Sequence, residues 1–442
     1  MNIYALSTGR GPAGIAIVRL SGESIIPICK NITKLDNIIS NQVNFCKLYD
    51  LKNNSIIDPE SVLLLFQKPN SYTGEDLVEF HIHGSNSIIN SLLRVLSEQD
   101  NCRLAEPGEF TKIAFHNNKM DLLKAESIGD LIHSETELQR QQAVKLFQGN
   151  ASNYYNNLRE KLIKSLSYIE AQIDFAEDDL PEKVLAEVQR SIQDIHHDIK
   201  KILENNKIGE KIRDGFRVSI VGEVNAGKSS LLNLLAKREV AIVSEEEGTT
   251  RDVIEVFLNI DGYPVIFADT AGIREAKNEV EKKGISLALE KYKEADLNVI
   301  MIDSSSSSIN DKIKNLINKD SIVLLNKSDI KDNHNHQFDS DTILVSVKDN
   351  KNIDIFIKKI KERLSNKFTS NDGVLITRER HRIKLQECLK EIDKFLKKDQ
   401  NKDIELAAED LRMATRHLGN IVGKVDVEEI LGSIFKDFCI GK

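Results

Sequence analysis

The sequence predicts a multidomain protein: an α/β N-terminal domain, a discontinuous α-helical domain, and a P-loop α/β domain inserted into the helical one. Three observations predict it. A strand–GEVNAGKS–helix unit spans the middle of the chain. Short strands and helices alternate over residues 1–118. Helical periodicity then flanks the central unit on both sides.

The central unit carries the clearest chemistry. The apolar run Val218 to Val221 reads as a buried strand, and Gly222 to Ser229 fits G-x-x-x-x-G-K-[ST], with a helix following at Leu231 and Leu232. Gly222 and Gly227 let backbone N–H groups curl around phosphates. Asn225, Ala226 and Ser230 lie in or beside the same loop, Lys228 reaches the terminal phosphates, and Ser229 ligates magnesium. A second strand, Val265 to Ala268, ends in Asp269-Thr270-Ala271-Gly272. Asp269 is placed to hold magnesium through water and Gly272 to meet the γ-phosphate. After a third strand, Leu297 to Asp303, a fourth ends in Asn326-Lys327-Ser328-Asp329. The Asp329 carboxylate accepts from the paired ring N–H and amine of guanine, which adenine lacks. Ser346-Val347-Lys348 reads as the last base-contacting loop. In this order the motifs imply a Ras-like GTP-binding domain over 212–372.

Ile273 occupies the position after Gly272, where Ras-like proteins use a water-positioning Gln, so hydrolysis needs other assistance. Asn225 has two readings: its carbonyl oxygen ligates a cation beside the phosphates, or it closes the loop by hydrogen bonding.

In the first 118 residues, Ile3–Leu6 and Ile15–Val18 read as strands. Between them Gly9 to Gly14 matches G-x-G-x-x-G. A strand rather than a helix follows, which contradicts a dinucleotide site and favours a tight turn that aims Arg19. Glu79, His81 and His83 share one face of a strand. A metal site there lacks an evident fourth ligand, and ordinary strand histidines are the simpler reading. Helical periodicity occupies 119–211, with long helices through Leu158–Ile173 and Val188–Ile202. It returns over 373–442 through Leu385–Leu396 and Leu406–Leu411. Cys439-Ile-Gly-Lys442 fits a prenylation box poorly. Its thiol is either a buried or frayed terminal group or a nucleophile activated by nearby cations.

A length of 442 residues suits two to four domains, and 40% apolar with 29% charged residues is ordinary globular composition. The net charge of −8 supplies no global field for nucleic acid, so RNA contact needs a local patch or a partner. Five cysteines without a CxxC pair point to a reducing compartment. No apolar run reaches membrane-spanning length and no signal-peptide pattern opens the chain, so the expected location is cytoplasmic, with no membrane.

The stretches GRGPAGIAIVRLSG, NSYTGEDLVEFHIHG, EPGEFTKIAFHNNKMDLLKAESIGDLI, IEAQIDFAEDDLP, ELAAEDLR and EEILGSIFKDFCIGK, with the GTPase set, resemble the tRNA modification GTPase family MnmE (TrmE) over essentially the full chain. The resemblance implies that 1–118 forms a tetrahydrofolate-binding and dimerisation domain. It implies a homodimer that joins an MnmG-type FAD protein in a heterotetramer. With tRNA as substrate, that assembly modifies the wobble uridine, using a one-carbon unit from 5-formyl- or methylene-tetrahydrofolate. By the same resemblance Arg19, Glu79, Lys119 and Lys442 contact folate, and Cys439 is the family's thiol. Ser229 and Thr250 ligate magnesium. Asn225, Ser244, Glu246 and Thr249 ligate potassium, within a GTP-contacting stretch that also holds Glu245, Glu247 and Gly248. Glu281 orients the attacking water. Two departures stand out: Val224 replaces the usual Pro, and Glu245 to Glu247 is unusually acidic before GTTRD. A different class, a regulatory GTPase binding ribosomal RNA in ribosome assembly, shares the G-domain motifs. It would require an RNA-binding module such as a KH domain after them, where the pattern here is helical.

Overall fold

The computed structural model describes residues 1–9, 11–174, 182–204, 207–238, 241–242, 255–269, 291–306, 308–330, 338–367, 375–398, 403–425, 431–432, 434–435, 438 and 441. Contacts divide the chain into two compact units. One comprises 1–129, 146–192 and 390–442, the other 130–145 and 193–389.

In the first unit a six-stranded sheet runs in the order β3-β4-β5-β2-β1-β6. Its strands are β1 (Asn2–Leu6), β2 (Ala13–Ser21), β3 (Val43–Tyr49), β4 (Ile56–Phe66), β5 (Leu77–Gly84) and β6 (Cys102–Leu104). All neighbours are antiparallel except β1 and β6. Alternation decides the faces. Val18 and Leu20 of β2, Leu63 and Leu65 of β4, and Val78, Phe80 and Ile82 of β5 point into a core shared with helices Ile25–Thr33 and Asn86–Ser97. Arg19, Glu79 and His81 therefore lie on the opposite face. The strand after the glycine-rich turn is β2, as the sequence predicts.

The helical part of this unit packs helix Asn150–Asp174 along helix Ile404–Val422. Leu158, Leu162 and Ile169 of one, and Leu411, Ala414 and Leu418 of the other, are buried. The C-terminal segment is pinned by a smaller cluster. Leu431, Ile434, Phe435 and Phe438 bury against Leu122 and Ala125. Gly108 makes room for this: a Cβ there would lie 2.9 Å from Phe435 Cβ.

The second unit holds a seven-stranded sheet, order β13-β12-β11-β7-β10-β9-β8. The strands are β7 (Phe216–Gly222), β8 (Ala241–Ile242), β9 (Glu255–Ile260), β10 (Tyr263–Asp269), β11 (Leu297–Asp303), β12 (Ile322–Asn326) and β13 (Asp341–Leu344). The strands β10, β7, β11, β12 and β13 are parallel, and β9 returns antiparallel to β10. Val299 and Met301 face one core, and Ile300 and Ile302 the other, so β11 is covered on both sides. Helix Ile208–Asp214 leads into β7 and is locked by buried and partly buried ion pairs. Arg382 grips Glu210 at 2.6 Å, and Asp130 accepts from Arg213 at 2.9 Å and from Arg378 at 2.6 Å.

Candidate functional site: a nucleotide loop and a folded-back terminus

At the end of β7 the chain turns through Glu223–Gly227 into helix Lys228–Ala236. The turn needs its glycines. A Cβ on Gly222 would lie 2.2 Å from the Met301 carbonyl oxygen. Gly227 has φ +105°, and a Cβ there would meet Asn326 Nδ2 at 2.3 Å. Between them Asn225 adopts φ +65°, a left-handed conformation that Asn tolerates, with its side chain exposed. Lys228 is almost wholly buried, and its ammonium donates to the carbonyls of Gly222 at 3.2 Å and Glu223 at 2.9 Å. The loop thus holds a cation within a backbone cradle at a helix N-terminus, the arrangement that suits polyphosphate. Ser229 and Ser230 are exposed on the first turn of that helix.

The guanine side is joined to this loop by one side chain. Asn326, 4% exposed, donates to the Ala226 carbonyl at 2.8 Å and accepts from the Val347 N–H at 3.1 Å. The end of β12, the P-loop and the 346–348 loop are thereby fixed together. Asn326 is a strut among the loops, a role its motif does not reveal. Asp329 is exposed at the rim and accepts from the Ser346 hydroxyl at 2.8 Å. That bond, a backbone N–H, and the nearby Lys348 and Lys327 hold its carboxyl below the ordinary range, so it is an ionised acceptor. Lys327 donates to Asp303 at 2.6 Å. Asp269 is the last residue of β10, opposite Ile220 of β7. Ser244 to Thr250, Thr270 to Gly272 and Glu281 lie outside the described residues.

The first unit has its own polar cluster. Arg19 of β2 stands across from Glu79 of β5 in register, and the guanidinium donates twice to Glu79 Oε1, at 3.2 and 2.7 Å. It also packs against the rings of Tyr72 and Phe110, 5.4 and 5.6 Å from their centroids, and donates to the Gly441 carbonyl at 3.3 Å. The same carbonyl accepts from the Ser7 hydroxyl at 2.9 Å. Gly441 has φ +99°, and a Cβ there would lie 2.3 Å from the Leu6 carbonyl oxygen. The structure therefore brings together Arg19, Glu79 and the end of the chain. Cys439 and Lys442, on either side of Gly441, lie outside the described residues. Lys119 donates to the Pro69 carbonyl at 2.7 Å, at the start of the loop that carries Tyr72. Ser7, Tyr72, Phe110 and Gly441 were not singled out from sequence. Tyr72, Phe110 and Gly441 do fall inside the stretches NSYTGEDLVEFHIHG, EPGEFTKIAFHNNKMDLLKAESIGDLI and EEILGSIFKDFCIGK, which is the one hint of them.

His83 Nδ1 bonds the buried Asp58 at 2.9 Å, and His81 Nε2 lies 3.5 Å from Glu79. Among the described residues no group of three His, Cys, Asp or Glu is arranged to hold a metal, and no helix is long and apolar enough to cross a membrane.

The Ras-like sheet, the phosphate cradle and the guanine-side acceptor define a P-loop GTPase. The family model described as MnmE helical domain matches residues 122–439, and that described as GTP-binding protein TrmE N-terminus matches residues 2–119. A protein of Pelagibacter ubique named tRNA modification GTPase MnmE is 53% identical over 444 residues, covering 100% of each chain. One of the same name from Rickettsia bellii is 42% identical over 446 residues, covering 100% of this chain and 99% of its own. Among solved structures, an Aquifex aeolicus Era variant is 25% identical over 40% of this chain and 66% of its own, with a TM-score of 0.27. The chain belongs to the MnmE family of tRNA modification GTPases.

Proposed function

We propose that the chain is a potassium-stimulated GTPase that works with an FAD-dependent partner to modify the wobble uridine of certain tRNAs. The group added at the 5-position is of the aminomethyl or carboxymethylaminomethyl class, built on a one-carbon unit from a tetrahydrofolate held by the N-terminal domain. The observation that supports this reading best is the meeting of Arg19, Glu79 and Gly441. Arg19 and Lys119 suit the carboxylates of a folate tail, and Glu79 suits the amino and ring N–H donors of a pterin. Cys439 and Lys442 flank the Gly441 that meets this cluster, and on this reading they would act there.

The P-loop fits a magnesium nucleotide. The backbone cradle would hold the phosphates, with Ser229, Thr250 and Asp269 on magnesium. Asn225, Thr249, Ser244 and Glu246 would hold potassium, and Glu281 would orient water. The exposed, left-handed Asn225 is consistent with a side chain offered outward from the loop. Potassium would supply positive charge that Ile273 cannot. A homodimer and a cytoplasmic location complete the reading. The edge strand β3 leaves Phe45 80% exposed, which suits association with a second copy. The ribosomal-RNA reading has less behind it, because helices Glu379–Lys397 and Ile404–Val422 follow the GTPase sheet. Nucleoside analysis of tRNA from cells lacking the chain tests the proposal: loss of the wobble modification is expected, and intact modification would refute it.

A further inference from the structure

We propose that Asp303 is a positioning residue for guanine-nucleotide binding, acting through the side chain of Lys327. Asp303 ends β11 directly opposite Asn326 of the parallel strand β12. The Ser304 N–H donates to the Asn326 carbonyl at 2.9 Å, so the two strand ends are bonded together just before NKSD turns away. Asp303 Oδ2 accepts from Lys327 Nζ at 2.6 Å. Its Oδ1 accepts from the Ser305 N–H at 3.0 Å and the Ser305 hydroxyl at 2.7 Å. The carboxylate is therefore fixed by its own loop before the lysine is counted.

The lysine is fixed at its other end too. Lys327 has φ +64°, a left-handed backbone that a residue with a side chain adopts only when its surroundings impose it. The Ser328 N–H bonded to the Val345 carbonyl at 3.1 Å, and the Ile330 N–H bonded to the Lys327 carbonyl at 3.0 Å, impose it. With backbone and ammonium both held, the methylene stem of Lys327 is stretched between fixed points, two residues from the base-reading Asp329. An immobilised stem beside the acceptor offers a flat base an apolar wall already ordered, so binding does not have to freeze a lysine. The ion pair is partly exposed, with side chains 33% and 23% accessible, so its contribution to folding is small. Asp303 stays ionised for this task. Burial pushes its carboxyl up, but the bonds from Lys327 and Ser305 outweigh that and leave it below the ordinary range.

The test is a double-mutant cycle on the full chain, with GDP as the probe. Asp303→Ala is expected to raise the GDP Kd by about three- to tenfold, the range for ordering one long side chain. Asp303→Asn, which keeps an acceptor oxygen, is expected to fall between. In turnover the change appears in KM for GTP, with kcat at saturation altered by less than about twofold. In a Lys327→Met background Asp303→Ala is expected to cost less than about twofold, because the side chain it acts on is gone. An unchanged GDP affinity in Asp303→Ala overturns the proposal. So does a penalty as large in the Lys327→Met background as in the wild type, whatever its size, since Asp303 would then act on the fold and not on the lysine.

Discussion

The Ser7 hydroxyl donates to the Gly441 carbonyl at 2.9 Å, joining residues 434 positions apart in one compact unit. Arg19, already paired with Glu79, donates to the same carbonyl. Gly441 is thus part of the N-terminal cluster, while the phosphate loop belongs to the other unit. Two chemistries in one chain should therefore be separable by mutation.

On the proposed reading, guanine selection rests on Asp329, whose carboxyl is held below the ordinary range. Replacing it by Asn puts a donor where guanine presents donors. Asp329→Asn should lose about 10²-fold or more in GTP affinity and gain affinity for xanthosine triphosphate, because a donor set against guanine's donors leaves both unpaired once the base covers them. Competition binding with the two nucleotides checks this. Unchanged GTP affinity would remove Asp329 from the base site.

The cation assignment concerns Asn225. GTP hydrolysis should be much faster in potassium than in sodium at equal ionic strength. Asn225→Ala should lower the potassium rate by about 10²- to 10³-fold with GTP binding largely kept. Equal rates in the two salts would leave Asn225 as a loop-closing residue, which its left-handed φ of +65° also suits.

The Cys29 and Cys46 thiols should be poor nucleophiles. Burial, with Asp58 nearby, pushes Cys46 up to about 11, and full burial drives Cys29 higher still. A raised thiol pKa means less thiolate, for Cys46 only about 10⁻³ of the population at pH 8. Iodoacetamide mapped by mass spectrometry at that pH should leave both intact in the folded protein and label both after unfolding. Rapid labelling of either in the native chain would contradict the environment described for it.

Much of the GTPase sheet was legible because β7, β11 and β12 are buried parallel strands, whose apolar runs announce themselves. The motifs at their ends are contiguous, so spacing alone singles out the candidate phosphate and guanine residues. β9 escaped notice, as did β3 and β4. Phe45 and Val43 of β3 face outward from an edge strand, and Asp58-Pro59-Glu60 interrupts the hydrophobic pattern of β4. The cluster around Arg19 was only half visible. Strand period puts Glu79 on one face with His81 and His83, but its pairing with Arg19 needs the register of β2 and β5, and Phe110, Tyr72 and Gly441 arrive from distant segments that no local pattern connects. Asp303 was hidden for a different reason. A single Asp at a strand end carries no signal until Lys327 is seen folded back onto it.

We propose that Gly441, docked on the N-terminal cluster, serves tRNA modification and not GTP hydrolysis. Gly441→Ala tests it most directly, since the added Cβ would collide with the Leu6 carbonyl and dislodge the terminus from Ser7 and Arg19. The measurement is nucleoside analysis of tRNA from cells in which Gly441→Ala is the sole copy, beside a GTPase assay on the purified variant. Loss of the wobble modification with GTP hydrolysis within about twofold of wild type is the predicted result. Full modification by Gly441→Ala would show that this docking plays no part in the reaction.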